Sequence, residues 1–258
     1  MRLAAVALLA LVGCTAPIRR AVLLPPSGAI TVAADGQGQF TTINAAIAAA
    51  RDGDVIYVNP GVYREQVRIA DRRGLTIIGA DPVMTIVDAA GRYAAVEIRT
   101  DSNSIANLTL RGADDHGIWV RDGSQSISYC LVVGCGDRGI YLSALAGNAF
   151  ARIEHCTIVE NGTSGIYAAR DDARTVIRHC IIAHNPRGIV TDGSDGKLVI
   201  ENNCLFNSEA DFDRATPGAD NIVVDPQFSD RDAGDYDLAR GSPCRGRAPN
   251  GRNLGYLP

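Results

Sequence analysis

The sequence predicts an all-β fold, a single-stranded parallel β-helix with an N-terminal capping helix. The first observation is a repeated apolar segment, which reads IANLTL, ISYCLV, IEHCTI, IRHCII and, more loosely, IENNCLF. The copies start at Ile105, Ile127, Ile153, Ile177 and Ile200, so the steps are 22, 26, 24 and 23 residues. A second apolar segment that begins with Gly-Ile follows four of the copies, and no helical pattern occurs inside the repeat. Units of this kind bury their apolar faces only when they stack.

The repeats align one small apolar side chain in successive coils. Because equivalent residues of stacked coils lie about 4.8 Å apart, Cys130, Cys156 and Cys180 are predicted to form an interior ladder, which Leu108 precedes and Cys204 follows. One thiol per coil forms a line, whereas a tetrahedral metal site needs converging ligands, so metal is not expected there. Disulfides stay open, because neighbouring coils are close enough for the bond. No pairing is assigned for Cys130, Cys135, Cys156, Cys180, Cys204 and Cys244.

Polar residues and chain breakers predict how the coils turn and end. Asn161 and Asn185 are placed at corners, where asparagine accepts a left-handed backbone and its amide bonds to the next coil. The segment FTTINAAIAAARDGD, from Phe40, offers a Thr N-cap and a small apolar face, so it is predicted to be a helix that closes the first coil. The tail from Asn221 contains Asp-Pro and Gly-Ser-Pro breakers and is predicted to cover the last coil.

The first 14 residues, MRLAAVALLALVGC, predict an exported protein. Arg2 precedes an apolar stretch at 3–12 that is too short to span a bilayer, which is the pattern of a signal peptide. The letters LVGC resemble the lipobox of bacterial lipoproteins, which implies lipidation of Cys14 and a lipid-anchored protein of the cell envelope. The alternative is an ordinary secretory signal that is cleaved a few residues later. The predicted divisions are a signal peptide at 1–13, a linker at 14–29, and a β-helix domain at 30–258 with its N-terminal cap and first coil at 30–69, its coils at 70–210 and its C-terminal cap at 211–258.

The charge balance bears on one class of partner, nucleic acid. Without residues 1–13 the chain keeps 24 of its 25 basic side chains against 29 acidic ones, a formal charge of −5. That balance gives no reason to expect nucleic acid. No other apolar run approaches the roughly 18 residues that a membrane helix needs, so any membrane contact is predicted to be through the lipid. The oligomeric state is not predicted.

A resemblance covers about a quarter of the chain. The segment TVAADGQGQFTTINAAIAAARDGDVIYVNPGVYREQVRI, from Thr31 to Ile69, resembles the N-terminal portion of pectin methylesterases and related pectin-lyase-fold proteins, above all in DGQGQFTTINAAI and PGVYREQV. The repeats and the tail resemble the wider group of right-handed parallel β-helix proteins. The resemblance implies a right-handed coil and acidic polysaccharide as the ligand class. The catalytic signatures of pectin methylesterases and polygalacturonases are missing, so no catalytic residue is carried over.

The second segment of each repeat predicts a binding surface. Its isoleucines (Ile118, Ile140, Ile166, Ile189) should point inward, so alternation turns the next residue outward. That outer column reads Trp119, Tyr141, Tyr167 and Val190. Three stacked aromatic side chains on a solvent face form a flat apolar strip on which sugar rings pack. The alternative is a ladder that only stiffens the wall or lies under the loop SALAGNAF.

Charged residues beside this column are candidates for carboxylate binding or catalysis. Arg138 and Arg187 would pair with uronic acids, since guanidinium groups bind carboxylates bidentately. A polysaccharide lyase also needs a base, and the candidates for catalysis are His116, Arg138 and Asp115. The simpler interpretation is that these are surface charges at corners.

Three aspartates and two histidines are candidates for metal binding. Asp114, Asp115 and Asp122 could hold calcium, although no cofactor is firmly predicted. Two histidines one coil apart usually form a surface ladder, but they could also bind a metal or repel each other when protonated. They belong to a predicted column of Tyr129, His155, His179 and Asn203.

Together these observations predict an exported, lipid-anchored β-helix that binds polysaccharide, acidic polymers included. The second hypothesis is a lyase, esterase or epimerase that acts on polymers containing uronic acids. The third is a structural envelope or adhesion protein without a ligand.

Overall fold

The computed structural model describes residues 22–143, 149–169, 174–193 and 198–257. It confirms an all-β parallel β-helix with a short helix near the N-terminus. The predicted signal peptide and Cys14 lie outside the described residues, so they stay predictions. No helix in the described part of the chain is long and apolar enough to cross a membrane.

The elements follow one another with few interruptions. The first coils contain β1 (Ile30–Val32), α1 (Ile43–Ala49), β2 (Val55–Val58), β3 (Gly61–Tyr63), β4 (Val67–Ile69), β5 (Thr76–Gly79), β6 (Thr85–Asp88) and β7 (Ala94–Ile98). The middle coils contain β8 (Asn103–Ala106), β9 (Thr109–Arg111), β10 (His116–Val120), β11 (Gln125–Ser128), β12 (Leu131–Val133), β13 (Arg138–Ser143), β14 (Phe150–Glu154), β15 (Thr157–Val159) and β16 (Ser164–Ala169). The last coils contain β17 (Arg174–Arg178), β18 (Ile181–Ala183), β19 (Arg187–Thr191), β20 (Leu198–Glu201), β21 (Cys204–Phe206) and β22 (Ala210–Asp213). The tail contains β23 (Ile222–Val223), β24 (Phe228–Asp230) and β25 (Asp235–Leu238), with 3-10 turns at Arg231–Ala233 and Pro249–Gly251.

Each coil contributes one strand to each of three parallel sheets. In spatial order, sheet A is β1-β2-β5-β8-β11-β14-β17-β20, sheet B is β3-β6-β9-β12-β15-β18-β21-β23, and sheet C is β4-β7-β10-β13-β16-β19-β22. The tail strands β24 and β25 form an antiparallel pair. The apolar core lies inside the three sheets, because every strand turns alternate side chains inward.

The first repeated segment is two strands rather than one. A left-handed residue separates the sheet A strand from the sheet B strand in five successive coils, and these residues are Asn107, Tyr129, His155, His179 and Asn202, with φ of 56°, 53°, 51°, 56° and 55°. The predicted histidine column is therefore a column of bends. It continues to Asn202, so the prediction of Asn203 at that place was wrong.

The cysteine ladder is confirmed for three coils and wrong for the fourth. Cys130, Cys156 and Cys180 occupy equivalent positions and are fully buried. Cys204 instead pairs with Ile181 on the outer face of sheet B. The ladder position in that coil belongs to Asn203, whose Oδ1 accepts from the Cys180 backbone N–H at 2.9 Å. The doubled asparagine in IENNCLF moves the cysteine one residue along, which changes the face that it occupies.

A buried asparagine ladder joins the coils at the corner between sheets B and C. The Asn161 side chain donates to Asn185 Oδ1 at 3.0 Å, and the Asn185 side chain donates to Asn207 Oδ1 at 3.0 Å. The left-handed residues at these corners are Glu160 and His184, both with φ of 57°. The prediction that the asparagines bond to the next coil is confirmed, whereas a left-handed backbone at Asn161 and Asn185 was wrong.

The two ends of the coil are closed differently. Helix α1 has Thr42 as its N-cap, whose side chain accepts from the Ala45 N–H at 3.2 Å. The Glu65 carboxylate accepts from two further N–H groups at the start of α1, at 2.8 and 3.0 Å. At the other end β23 extends sheet B, but the chain then turns back: Tyr236, Leu254 and other tail residues pack on the outer face of sheet B. The tail therefore covers one side of the coil as well as its last turn.

Candidate functional site

An aromatic column runs along the outer face of sheet C. Ile118, Ile140 and the two equivalent isoleucines are fully buried, as predicted. The next residues stack in register, so the rings of Trp119 and Tyr141 are parallel with centroids 6.4 Å apart, and Tyr141 and Tyr167 meet edge to face at 5.7 Å. Each of the three rings is partly exposed. Val190 is buried, so the column of exposed rings ends at Tyr167.

A fourth ring, Tyr93, was not predicted. Tyr93 lies in the turn before β7, outside the aligned repeats, and is 46% exposed. Its ring centroid lies 5.0 Å from that of Trp119 and 5.2 Å from that of His116. Tyr93, Trp119, Tyr141 and Tyr167 together form a continuous surface, called here the aromatic strip.

His116 lies behind the strip and is 1% exposed. Its Nε2 is 3.3 Å from the Tyr93 hydroxyl, and its Nδ1 is 3.7 Å from Asp137 Oδ2 without a hydrogen bond. Burial lowers the pKa of His116, although the nearby Asp137 carboxylate opposes that shift. The imidazole is therefore neutral near pH 7, so it can accept a proton.

Arg138 is fixed across the strip. Its Nη1 pairs with Asp137 Oδ2 at 2.7 Å. Its guanidinium carbon lies 4.7 Å from the centroid of Tyr141 and 4.5 Å from that of Tyr167. The charge of Arg138 is thus compensated inside the protein, and its planar face stabilises the two tyrosine rings.

A second charged group, missed in the sequence, adjoins the Trp119 end of the strip. Glu97 precedes Trp119 in the same column and is 2% exposed. Its carboxylate pairs with Arg68 at 3.3 Å, Arg99 at 2.8 Å and Arg121 at 3.2 Å. Burial raises the pKa of Glu97, but hydrogen bonds from Arg99 and Arg121 outweigh it and lower the pKa overall. These four residues, called here the arginine cluster, carry three positive charges against one negative charge.

Of the other predicted site residues, Arg187 is remote from His116, whereas Asp115 adjoins it. Arg187 lies two coils beyond Arg138 in the same column. Its side chain pairs with Glu209 at 3.1 Å and with Asp213 at 3.5 Å. Asp115 is half-buried beside His116 and opposes the lowering of the His116 pKa.

The three aspartates suggested for calcium do not converge. Asp114 and Asp115 precede β10, whereas Asp122 follows it, and five strand residues extend about 16 Å. No group of three or more His, Cys, Asp or Glu side chains that could hold a metal ion occurs among the described residues. The stacked histidines His155 and His179, with centroids 4.9 Å apart, are a pair only.

A groove that the sequence did not predict lies away from the strip. It has a volume of about 860 Å³ and runs between the bends from sheet A to sheet B and the tail. Its walls include Leu23, Tyr129, Leu238 and Arg252. The docked tail creates this groove, so no repeat signal could have indicated it.

Two family models match the chain. The model described as right handed beta helix region matches residues 94–212, and the model described as pectinesterase matches residues 29–113. Probable pectinesterase 56 of Arabidopsis thaliana is 40% identical over 63 residues, which is 22% of this chain and 22% of the relative. Probable pectinesterase/pectinesterase inhibitor 19 of the same plant is 26% identical over 190 residues, 56% of this chain and 35% of the relative. The chain thus spans well under half of these relatives.

Solved structures share the fold at low identity. A pectin methylesterase from carrot superposes with a TM-score of 0.59 at 17% identity, over 76% of this chain and 72% of that one. A PL6 family polysaccharide lyase from Pseudopedobacter saltans gives a TM-score of 0.54 at 13% identity, over 68% of this chain and 49% of that one. At such identities the likeness shows the fold alone. The chain is a right-handed parallel β-helix protein, and its N-terminal part is similar to pectinesterases.

Proposed function

We propose that this protein binds an acidic polysaccharide along the outer face of sheet C. The observation that carries the proposal is the aromatic strip, which ends at the arginine cluster in the same column. Partly exposed aromatic rings in a continuous row suit the apolar faces of sugar rings. Similarity to pectinesterases and to a polysaccharide lyase supports the ligand class by analogy only.

The arginine cluster supports an acidic ligand rather than a neutral one. The side chains of Arg68, Arg99 and Arg121 are 62%, 47% and 40% exposed, so they can bond to a carboxylate as well as to Glu97. The Arg121 guanidinium carbon also lies 4.4 Å from the Trp119 ring centroid, so charge and stacking surface meet there. A uronic acid whose ring packs on Trp119 would place its carboxylate beside this guanidinium.

Retention on immobilised polysaccharides tests the proposal. Trp119→Ala removes the ring of the strip that adjoins the arginine cluster and is expected to weaken retention on polygalacturonate or alginate about tenfold, or about 1.4 kcal/mol. Arg121→Gln should weaken retention more at low salt than at high salt, since the contact is exposed and screened. Val199→Ala, which truncates a 43% exposed side chain on sheet A, is the matched control. Equal retention of Trp119→Ala and the control would disprove binding at the strip.

A second candidate function is catalysis on the same polymers, as a lyase, esterase or epimerase. The observation that favours it is the chain of groups from the hydroxyl of Tyr93, a residue that is 46% exposed, through the buried, neutral His116 to Asp137. Burial raises the pKa of Tyr93, so a free phenolate is disfavoured and the hydroxyl would act as a relay. It would accept a proton from a sugar at the strip as it passes its own proton to His116, while Asp137 stabilises the imidazolium. Arg138 is already paired with Asp137, so its role there is to position that carboxylate.

Product formation separates the two candidates. The purified protein is incubated with methyl-esterified and unesterified polyuronates, and unsaturated products, released methanol and reducing ends are followed. An enzyme of this type should lose most of its activity in Tyr93→Phe, which keeps the ring and removes the hydroxyl. Retention without any of these products would reject a lyase or an esterase and leave binding or epimerisation, which proton NMR of the recovered polymer distinguishes. The absence of retention, of products and of epimerisation would favour the structural hypothesis.

We also propose that the protein is exported and anchored by lipid at Cys14. The support is the leader-like sequence and its LVGC ending, both in the sequence alone. Metabolic labelling with a fatty acid should mark the wild type and not Cys14→Ser. Labelling of both would disprove lipidation at this cysteine.

A further inference from the structure

Two cysteines from distant parts of the chain meet under the tail. Cys204 lies on the outer face of sheet B, and Cys244 comes from the tail after β25. Both are fully buried in the same apolar cluster. The Leu254 N–H donates to the Cys244 carbonyl oxygen at 3.0 Å, and the adjacent Gly255 packs against Ile181, the strand partner of Cys204. Both thiols are reduced in the structure.

The ladder cysteines have a different environment. Cys130, Cys156 and Cys180 each contact the carbonyl oxygen two residues earlier, at the same 3.3 Å in each coil. These three thiols repeat one orientation on the inner face of the coil, whereas the Cys204 thiol donates to the Val224 carbonyl oxygen at 3.3 Å on the outer face of sheet B. Only the doubled asparagine before Cys204 moves that side chain to the outer face, where Cys244 can reach it.

We propose that Cys204 and Cys244 form a disulfide that fastens the tail to sheet B. The bond would close a loop between residues 40 positions apart in the sequence. It would also hold in place the tail segment that forms one wall of the groove of about 860 Å³. This inference concerns the stability of the fold and does not depend on the polysaccharide proposal.

The oxidation requires a disulfide donor such as oxidised glutathione. While the tail is undocked, the Cys244 thiol is accessible and reacts as its thiolate. Its thiolate attacks one sulfur of glutathione disulfide and releases one glutathione thiolate, which takes up a proton. Cys204 then attacks the Cys244 sulfur, loses its proton and releases the second glutathione. Two protein thiols are oxidised and one glutathione disulfide is reduced to two thiols.

Burial sets the timing of this reaction. Neither sulfur is accessible while the tail is docked. The disulfide therefore forms before the tail docks during folding, or when the tail detaches. Once formed, the same burial protects the bond from external thiols.

The test uses the purified full chain, refolded in oxidised glutathione, alkylated under denaturing conditions and digested with trypsin. Peptides 198–214 and 241–245 each contain one of the two cysteines and no other. Mass spectrometry should find these peptides joined, with the ladder cysteines alkylated. Both peptides alkylated, glutathione left on Cys244, or a disulfide between other cysteines would each overturn the proposal.

Thermal unfolding gives an independent measurement. Closing a loop of this length should raise the melting temperature by about 10 °C, and refolding the wild type in reductant should abolish that rise. Cys244→Ser should show the lower value with and without reductant, whereas Cys135→Ser should keep the shift. Equal melting temperatures of the wild type refolded with oxidised glutathione and the wild type refolded with reductant would contradict the proposal, and this comparison does not depend on a variant.

Discussion

Mild acid is expected to destabilise this protein through His155. The His155 ring is stacked between Tyr129, with centroids 4.8 Å apart, and His179, at 4.9 Å. Burial, followed by the neighbouring His179, lowers the pKa of His155 from 6.5 to about 4. The Glu154 carboxylate opposes this shift, whereas Arg252 and Arg178 add to it.

The direction of the pH effect on stability follows from the pKa of His155 in the unfolded and the folded chain. The unfolded chain binds a proton on His155 below about pH 6.5, but the folded chain binds it only near pH 4. Stability is therefore fully present above pH 6.5 and is lost as the pH falls toward 4. Between about pH 7.5 and pH 5 the loss from this residue is roughly 2 kcal/mol. Burial also lowers the pKa of His116, His179 and His184, so the total loss is larger.

Urea unfolding at the two pH values measures this loss. His155→Phe keeps an aromatic ring and removes the titrating group. Tyr129, in the equivalent left-handed bend, shows that a six-membered aromatic ring fits this position. The variant should lose roughly 2 kcal/mol less than the wild type between about pH 7.5 and pH 5. The carboxylates titrate mainly below this range, so they contribute little to the difference. Equal losses in the two proteins would refute the reasoning.

Two further predictions concern the packing of the coils. Asn185→Ala should lower the free energy of unfolding by about 3 kcal/mol, because the Asn161 backbone and side-chain N–H groups lose their acceptor at 3.0 Å. In the same urea titration, Val62→Ala, on the outer surface, should change the free energy of unfolding by less than about 0.5 kcal/mol. Similar losses in Asn185→Ala and Val62→Ala would contradict a stabilising role of the asparagine ladder. Gly139→Ala should cost about 2 kcal/mol or more, since its methyl group would lie 2.4 Å from a side chain and 2.6 Å from a carbonyl oxygen of the next coil. Gly241→Ala meets only one atom, at 3.8 Å, so its melting temperature should stay near that of the wild type; a comparable fall would show that the close approach is not the cause.

Local repeats made much of the fold predictable. The recurrence of one apolar segment indicates stacking, and stacking places Cys130, Cys156 and Cys180 in one interior column. Alternation along a strand places Trp119 and Tyr141 in one outer column. Thr42 before an apolar run marked the start of α1. These features depend on residues within one coil or on the period between coils, which the sequence contains directly.

Other features depend on where segments without a repeat finally pack. Tyr93 lies in a turn, and the charges around Glu97 come from coils more than 20 residues apart, so neither shows a periodic signal. The shift of Cys204 to the outer face was not predicted either. One extra asparagine decides whether the cysteine faces inward or outward, but only the pairing of the strand with its neighbour shows which residues are opposite each other. Docking of the tail decided the rest: it buries Cys244 against Cys204 and builds the groove, since apolar tail residues cover the outer face of sheet B. The sequence by itself therefore determined the coil and its columns, and the tertiary structure decided which charges, rings and thiols meet.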